Sequence, residues 1–224
     1  MMELSVIIPA LNEKERIGHA IASAFRLGAD EVIVADGGSS DATCGRARTA
    51  GARVVSAAKG RGTQLNVGAS SAQGDILLFL HADAVLPPVT KDCLSDALHR
   101  GVAGYFRLAY DDNAPAVRLV ALFANLRAQL HQLPYGDQAM FLRRNTYAAL
   151  GGFRPVPFLE DLEFVLRLRR LGSLIEIPAP VTVAARRLLG KTPLSPVLKS
   201  LRNVSIAGLF VAGVSPQRLL RYYR

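Results

Sequence analysis

An α/β fold, a mostly parallel central sheet with helices on both faces, is predicted by three features of this 224-residue sequence. Short β-branched or apolar runs alternate with stretches whose apolar residues recur at helical spacing, as repeated βαβ units do. The first, second and fourth runs deliver polar or turn residues at Pro9, Asp36 and Asp83, and ligands of open α/β sheets bind outside the carboxyl ends of the strands. Half of the residues are apolar, enough to bury one full core in a chain of this length.

Taken in order, "LSVIIP" and "EVIVAD" read as the first two strands, joined by a helix with Ile17, Ala20, Ile21, Ala24 and Phe25 on one face. A helix over 41–50, capped by Ser40 or Asp41, leads to a third strand in "ARVVS", and a helix over 63–72 leads to a fourth in "DILLFL". Ile76 to Leu80 form an unbroken apolar run, expected of a strand buried on both faces, that runs directly into His81, Ala82 and Asp83. Beyond Pro88 the alternation loosens into a helix over 90–100, a strand in "GYFRLAY" and a long helix. On that helix Leu119, Leu122, Phe123, Leu126, Leu130 and Leu133 make a stripe expected to face the core. "QAMFLR" reads as a strand, "FLEDLEFVLRLRRLG" as a helix stopped by Gly172, and "LIEIP" as a short strand. Without an internal repeat or low-complexity linker, residues 1–187 read as one domain, its halves meeting at about residue 90, followed by a basic helical appendage over 188–224.

Cys44 and Cys93 are far apart and form no Cys-x-x-Cys pair, so no disulfide framework or zinc site is implied and a reducing cytoplasm fits. "MMELSVIIPALNE" lacks the basic start of a signal peptide, and "VSIAGLFVAGV" is too short to cross a bilayer. The formal net charge is +9, and after Glu176 no acidic residue occurs while Arg186, Arg187, Lys191, Lys199, Arg202, Arg218, Arg221 and Arg224 follow. Such a tail can be a solvated helical face, can lie on anionic lipid, or can attract phosphate-bearing molecules or nucleic acid.

Several short motifs carry chemistry. In "VADGGSSDAT" the paired glycines allow positive φ and a close approach to a ligand, and Asp36 can accept hydrogen bonds from a nucleobase or ribose; a plain βα turn is the competing reading. "KGRGTQLNVG" puts Lys59 and Arg61 with close glycines at a helix start, which favours anions. Neither stretch is Gly-x-Gly-x-x-Gly, and no Gly-Lys-Ser/Thr follows, which argues against dinucleotide binding and against phosphoryl transfer from ATP. In "FLEDLEF", Glu160, Asp161 and Glu163 open a helix, where the dipole favours carboxylates without any function. Adjacent carboxylates near a pocket also serve acid–base work, since repulsion raises the pKa of one of them. No Ser-His-Asp or Cys-His set can be assembled from spacing.

In sequence order "PALNE", "DGGSSD", "KGRG", "HAD", "GDQ", and "ED" followed by "RLRRLG" resemble the GT-A glycosyltransferases of the large inverting family 2, over nearly everything from Leu4 to about Arg187. The "LLFLHAD" and "GDQAMFLRR" versions look like a small soluble bacterial branch, some of whose members are labelled arsenosugar-biosynthesis transferases. The resemblance implies a GT-A (Rossmann-like nucleotide-diphospho-sugar transferase) fold, with a nucleotide-sugar half over about 1–90 and an acceptor half over about 91–187. It implies a nucleotide-sugar donor, most commonly a UDP-sugar, with Pro9, Leu11, Glu13, Asp36 and Arg61 around the nucleoside, Lys59 adding charge, and Asp83 closing an Asp-x-Asp motif that holds Mn2+ or Mg2+. The first position of that motif is His81 here, read as contacting the sugar or diphosphate, as a metal ligand or, the reading favoured, as orienting Asp83. By the same resemblance Asp161 is the general base, and Gly136, Asp137, Gln138 and Glu160 lie near a small-molecule or lipid-linked acceptor. The Gln-x-x-Arg-Trp motif of processive synthases is missing and the chain has no tryptophan, which favours transfer of a single sugar.

That chemistry is self-consistent: a departing nucleoside diphosphate needs its charge stabilised, and the acceptor needs a base on the opposite side. Two rivals remain. A sugar-1-phosphate nucleotidyltransferase is expected to be glycine-rich and basic after strand one, where this chain has "PALNEKER". A nucleotide-binding or membrane-docked partner protein would use the basic tail instead. The expected setting is the cytoplasm, with peripheral membrane contact through that tail and no nucleic-acid partner.

Overall fold

The structure, a computed structural model, describes residues 2–190 and 192–223 and every side chain among them except those of Arg187 and Tyr223. Lys191 and Arg224, two of the tail cations, lie outside the described residues. β1 (Leu4–Ala10), α1 (Ile17–Leu27), β2 (Glu31–Asp36), α2 (Thr43–Thr49), β3 (Arg53–Ser56), α3 (Arg61–Ser71) and β4 (Ile76–Phe79) follow in the expected alternation. β1 lies between β2 and β4, parallel to both, and β3 adds to the far side of β2 in parallel. Alternate residues of β1 serve opposite faces, as the twofold period of a strand requires. Leu4, Val6 and Ile8 pack with α1, while Ile7 packs with Leu65 and Ala69 of α3. Both faces of β1 are buried, which accounts for the consecutive apolar residues Val6, Ile7 and Ile8.

The second half comprises β5 (Ala84–Val85), α4 (Asp92–Arg100), β6 (Ala103–Tyr110), α5 (Pro115–His131), a 3-10 turn over Gly136–Gln138, β7 (Phe141–Arg143), α6 (Arg144–Ala149), α7 (Glu160–Leu168) and β8 (Leu174–Val183). All eight strands form one sheet in the order β3-β2-β1-β4-β7-β6-β8-β5. Four pairings are parallel and three antiparallel. β7 runs antiparallel between β4 and β6, which extends the sheet past the parallel first half and carries the 3-10 turn to the end of β4.

Three expectations change. The strand read in "LIEIP" continues to Val183 despite Pro178 and Pro180, because the register with β6 slips between Phe106 and Arg107. Phe106 faces Ile177 and Arg107 faces Pro180, so Pro178 and Ala179 bulge out of the ladder, where a missing N–H is tolerated. The expected strand "QAMFLR" is shorter, with Gln138 in the 3-10 turn and only Phe141–Arg143 in the sheet. The leucine stripe of α5 does not face the core. Leu119, Leu122, Phe123, Leu126 and Leu130 are exposed, and the helix instead buries Val117, Val120, Ala124 and Ala128. Small residues let α5 lie close on the sheet, so the face with less apolar bulk is the buried one. The chain ends in α8 (Ser195–Val211), which packs against α5, and α9 (Pro216–Tyr223).

Candidate active site

Loops from β1, β2 and β4 converge at the carboxyl ends of these strands. The first two are tied together: Asn12, at φ 55°, accepts the Ser40 N–H at 2.9 Å through Oδ1, and its own N–H donates to the Ser39 hydroxyl at 2.9 Å. Gln64 of α3 clamps the strands below, its Nε2 donating to the Ala10 and Ala35 carbonyls at 2.8 and 2.9 Å. These bonds place Pro9, Leu11, Glu13, Arg61, Gln64 and His81 around a cavity of about 190 Å³.

Asp36 ends β2. Burial pushes its carboxyl up, but the Ser39 side chain and the Ser39 and Gly38 backbone N–H groups outweigh that and hold it below the usual range. Gly38 at φ 92° makes this wrap of amides accessible. Asp36 Oδ2 takes both backbone bonds, whereas Oδ1 is buried without a hydrogen-bond partner among the described residues. A buried acceptor left in that condition costs about 1–3 kcal/mol.

Glu13 and Asp83 are both buried, and Arg186, from the turn after β8, bridges them through Nη2. The Ala184 N–H donates to the Asp83 carbonyl and the Ala185 N–H to Asp111 Oδ1, so the turn is anchored on both neighbours of β8, just before β5 and just after β6. Among the described residues no three His, Cys, Asp or Glu side chains cluster into a ready-made metal centre. The bridged pair does fit a hard divalent cation: two buried carboxylates already share one positive charge, and oxygen ligands suit Mg2+ and Mn2+. Ligand oxygens and water would then complete the shell.

The other side of the cleft begins at Arg61, which also lines a second cavity of about 280 Å³ with Tyr135, Phe158, Glu160, Asp161 and Asn203. Arg61 pairs with Glu160 at 3.4 Å. Asp161 Oδ2 accepts the Gly136 N–H and Oδ1 its neighbour Leu162's N–H, both at 2.8 Å, which fixes the carboxylate at the head of α7. A Cβ on Gly136 would stand 3.1 Å from His81 Nε2 and 3.2 Å from Asp161 Oδ2, so glycine there leaves the narrow gap between those two groups open. Glu160 is pushed up by burial and then by the charge of Asp161, with Arg61 opposing. Asp137 is pushed up to about 6 by burial, partly offset by Arg127, with the Asp161 charge adding to the rise.

The predicted residues are therefore distributed unevenly. Pro9, Leu11, Glu13 and Arg61 share the first cavity, and Glu160 and Asp161 share the second with Arg61. Asp83 reaches the first group through Arg186, and His81 and Gly136 stand at the junction. Lys59 is exposed and lines neither cavity. Gln138 is fully buried beneath the turn, its amide donating to the Phe106 carbonyl. Sequence reasoning did not single out Tyr135, Asn203, Ile206 or Arg186 as site residues. Tyr135 adjoins the quoted "GDQ", but the other three come from a tail whose only signal was its charge.

Comparison with known proteins gives the family of the chain. The family profile described as "Glycosyl transferase family 2" matches residues 5–158. Glucosyl-3-phosphoglycerate synthase of Mycolicibacterium paratuberculosis is 40% identical over 96 residues, 38% of this chain and 29% of that protein. The match thus spans under a third of that relative's length. The same synthase from Mycobacterium tuberculosis, solved with Mn2+, UDP-glucose and phosphoglyceric acid, aligns over 95% of this chain and 80% of its own at 26% identity and TM-score 0.65. Staphylococcus aureus TarS aligns over 99% of this chain and 42% of its own at TM-score 0.64, a likeness of fold at 16% identity.

Proposed function

The chain belongs to glycosyl transferase family 2, and from that premise we propose that it moves a single sugar, with inversion, from a nucleoside-diphosphate sugar to an acceptor hydroxyl. The observation that carries this reading is the junction at Arg61: one guanidinium borders the cavity of Pro9, Leu11 and Glu13 and the cavity of Glu160 and Asp161. A donor lying in the first and an acceptor in the second would meet beside His81, Gly136 and Asp161. UDP is the proposed nucleotide, supported by the UDP and Mn2+ bound in the mycobacterial neighbour.

In this reading Asp36, at the end of β2, serves the base or ribose and Arg61 the diphosphate. A divalent cation held at Asp83, with Glu13 beside it, would neutralise the charge that develops on the leaving diphosphate. Asp161 is the proposed base. It takes the proton of the acceptor hydroxyl while that oxygen forms a bond to the anomeric carbon, and the electron pair of the broken carbon–oxygen bond leaves with the nucleoside diphosphate. Each Asp161 oxygen spends one lone-pair direction on a backbone N–H and keeps another for this proton. The acceptor is a small molecule or one borne on a lipid, as phosphoglyceric acid in the neighbour's site supports the first, and the setting is cytoplasmic.

Asp161→Asn keeps the size and shape of the side chain and an oxygen for one of the two backbone N–H groups, but its NH2 cannot accept the other and the side chain cannot take a proton. Release of UDP from donor plus acceptor is expected to fall about 10²–10⁴-fold, while titration of UDP with Mn2+ gives an unchanged affinity. Turnover at the wild-type rate removes Asp161 from the role. Donor binding with no nucleoside diphosphate released by the wild type under any acceptor would favour the nucleotide-binding partner reading.

A further inference from the structure

The exposed stripe of α5 does not stand alone. Together with α8 it walls an open groove of about 540 Å³ lined by Leu119, Phe123, Leu126, Leu130, Leu201 and Val204. Phe123 and Leu130 are 59% and 73% exposed, and Leu198 and Leu201 are 61% and 59% exposed. Monomeric soluble surfaces rarely leave contiguous apolar patches of this kind uncovered. Charge indicates what covers it. Residues 113–136 contain no acidic residue, and none follows Glu176, so α5, α8 and α9 together carry no carboxylate. They do carry Arg118, Lys199, Arg202, Arg218 and Arg221, besides Arg127, which stacks on Tyr135 at 3.4 Å. Arg118 lies one helical turn from Leu122, and Arg202 one turn from Leu198, so cations border the exposed apolar rows.

We propose that this α5–α8 face is a docking surface for an anionic lipid bilayer, the apolar rows entering the boundary of headgroups and acyl chains and the flanking cations pairing with lipid phosphates. Leucines on one face and cations beside them are the pattern of an interfacial helix. A second copy of this chain on the same face would set these cations against themselves with no carboxylate in any of the three helices to answer them. A nucleic acid would use the cations and leave the leucines exposed to water. The surface has a consequence for the cleft, resting on the transferase reading: Asn203 and Ile206 on another side of α8 line the cavity that holds Asp161, so docking brings that cavity near the membrane surface and favours a lipid-borne acceptor.

Docking itself is tested without donor or turnover. The full chain is floated at low ionic strength with phosphatidylcholine vesicles, with and without phosphatidylglycerol. At least about tenfold more protein should float with the anionic vesicles, and added salt should reverse it. The pairs Leu122→Glu with Leu201→Glu, and Arg118→Glu with Arg202→Glu, alter exposed positions and should each lower recovery by tenfold or more, with thermal unfolding unchanged. Equal recovery from neutral and anionic vesicles, or none from either, overturns the proposal. So does a wild-type dimer in sedimentation that Leu201→Glu dissociates, which would assign the face to a second copy. Should a variant fail to fold, the lipid and salt dependence of the wild type decides.

Discussion

Arg186 holds two carboxylates that approach from different loops, and a single guanidinium thereby does two things. It relieves the repulsion of Glu13 and Asp83, and it occupies the position where a cation is wanted. Since a bound guanidinium and a bound metal ion compete for the same oxygens, Arg186→Gln should bind Mn2+ alone more tightly, by about tenfold for a loss of competition near 1.4 kcal/mol. Affinity for the nucleoside diphosphate without metal should move the other way, because the Glu13 and Asp83 carboxylates then lose the cation that offsets their charge. Mn2+ titration followed by electron paramagnetic resonance, beside calorimetry with UDP, separates the two effects; an unchanged or weakened Mn2+ affinity refutes the competition. The residue was visible in the sequence as one cation among many. No spacing rule links it to Asp83, since only the pairing of β5 with β8 brings the two together.

Elements, more than single residues, explain the meeting of the two cavities. β7 inserts antiparallel beside β4, and the turn that precedes it brings Gly136 against both His81 and Asp161. A methyl at that point is tighter than ordinary contact but within reach of a shift of a few tenths of an ångström. Gly136→Ala is therefore expected to fold with nearly wild-type thermal stability and to lose about 10–10²-fold in turnover, because displacement of a catalytic group by a fraction of an ångström is costly. A variant that turns over normally would show that the gap is not used. The same scale shows where periodicity failed. The α5 stripe has the right spacing for a buried face, yet spacing reports only that one side is apolar, and α5 has two. Val117, Val120, Ala124 and Ala128 make the second, and close approach to the sheet selects it. α6 and the two-residue β5 are too short to announce themselves by pattern at all.

Across the whole molecule, buried acid beside the cleft links the site to stability. Asp137, raised to about 6, keeps a proton in the folded protein that the unfolded chain has released above about pH 4. Folded protein binds more protons than unfolded protein through that window, so stability falls as pH rises from about 4 to 6 and stays lowered above it. Glu160, also raised, contributes in the same direction. Asp137→Asn should then raise the thermal midpoint at pH 8, by a stability gain on the order of 2–3 kcal/mol, with the gain vanishing near pH 4. Unfolding scans at the two pH values check this, and an equal difference at both contradicts it. A stabilising loss of a cleft carboxylate is what a site kept for function predicts.

By itself the sequence determined the α/β alternation, the strand ends that carry Pro9, Asp36 and Asp83, and the family, because burial on both faces of a strand and helical spacing are written locally and in order. It also marked Glu160 and Asp161 as acids at a helix start. What tertiary structure alone decided was which of these groups meet: Arg61 between two cavities, Arg186 upon Glu13 and Asp83, Gly136 between His81 and Asp161, and α8 beside the cavity of Asp161. Those contacts depend on sheet order and on which face of a helix packs, and both arise from competition among distant segments that no local pattern records.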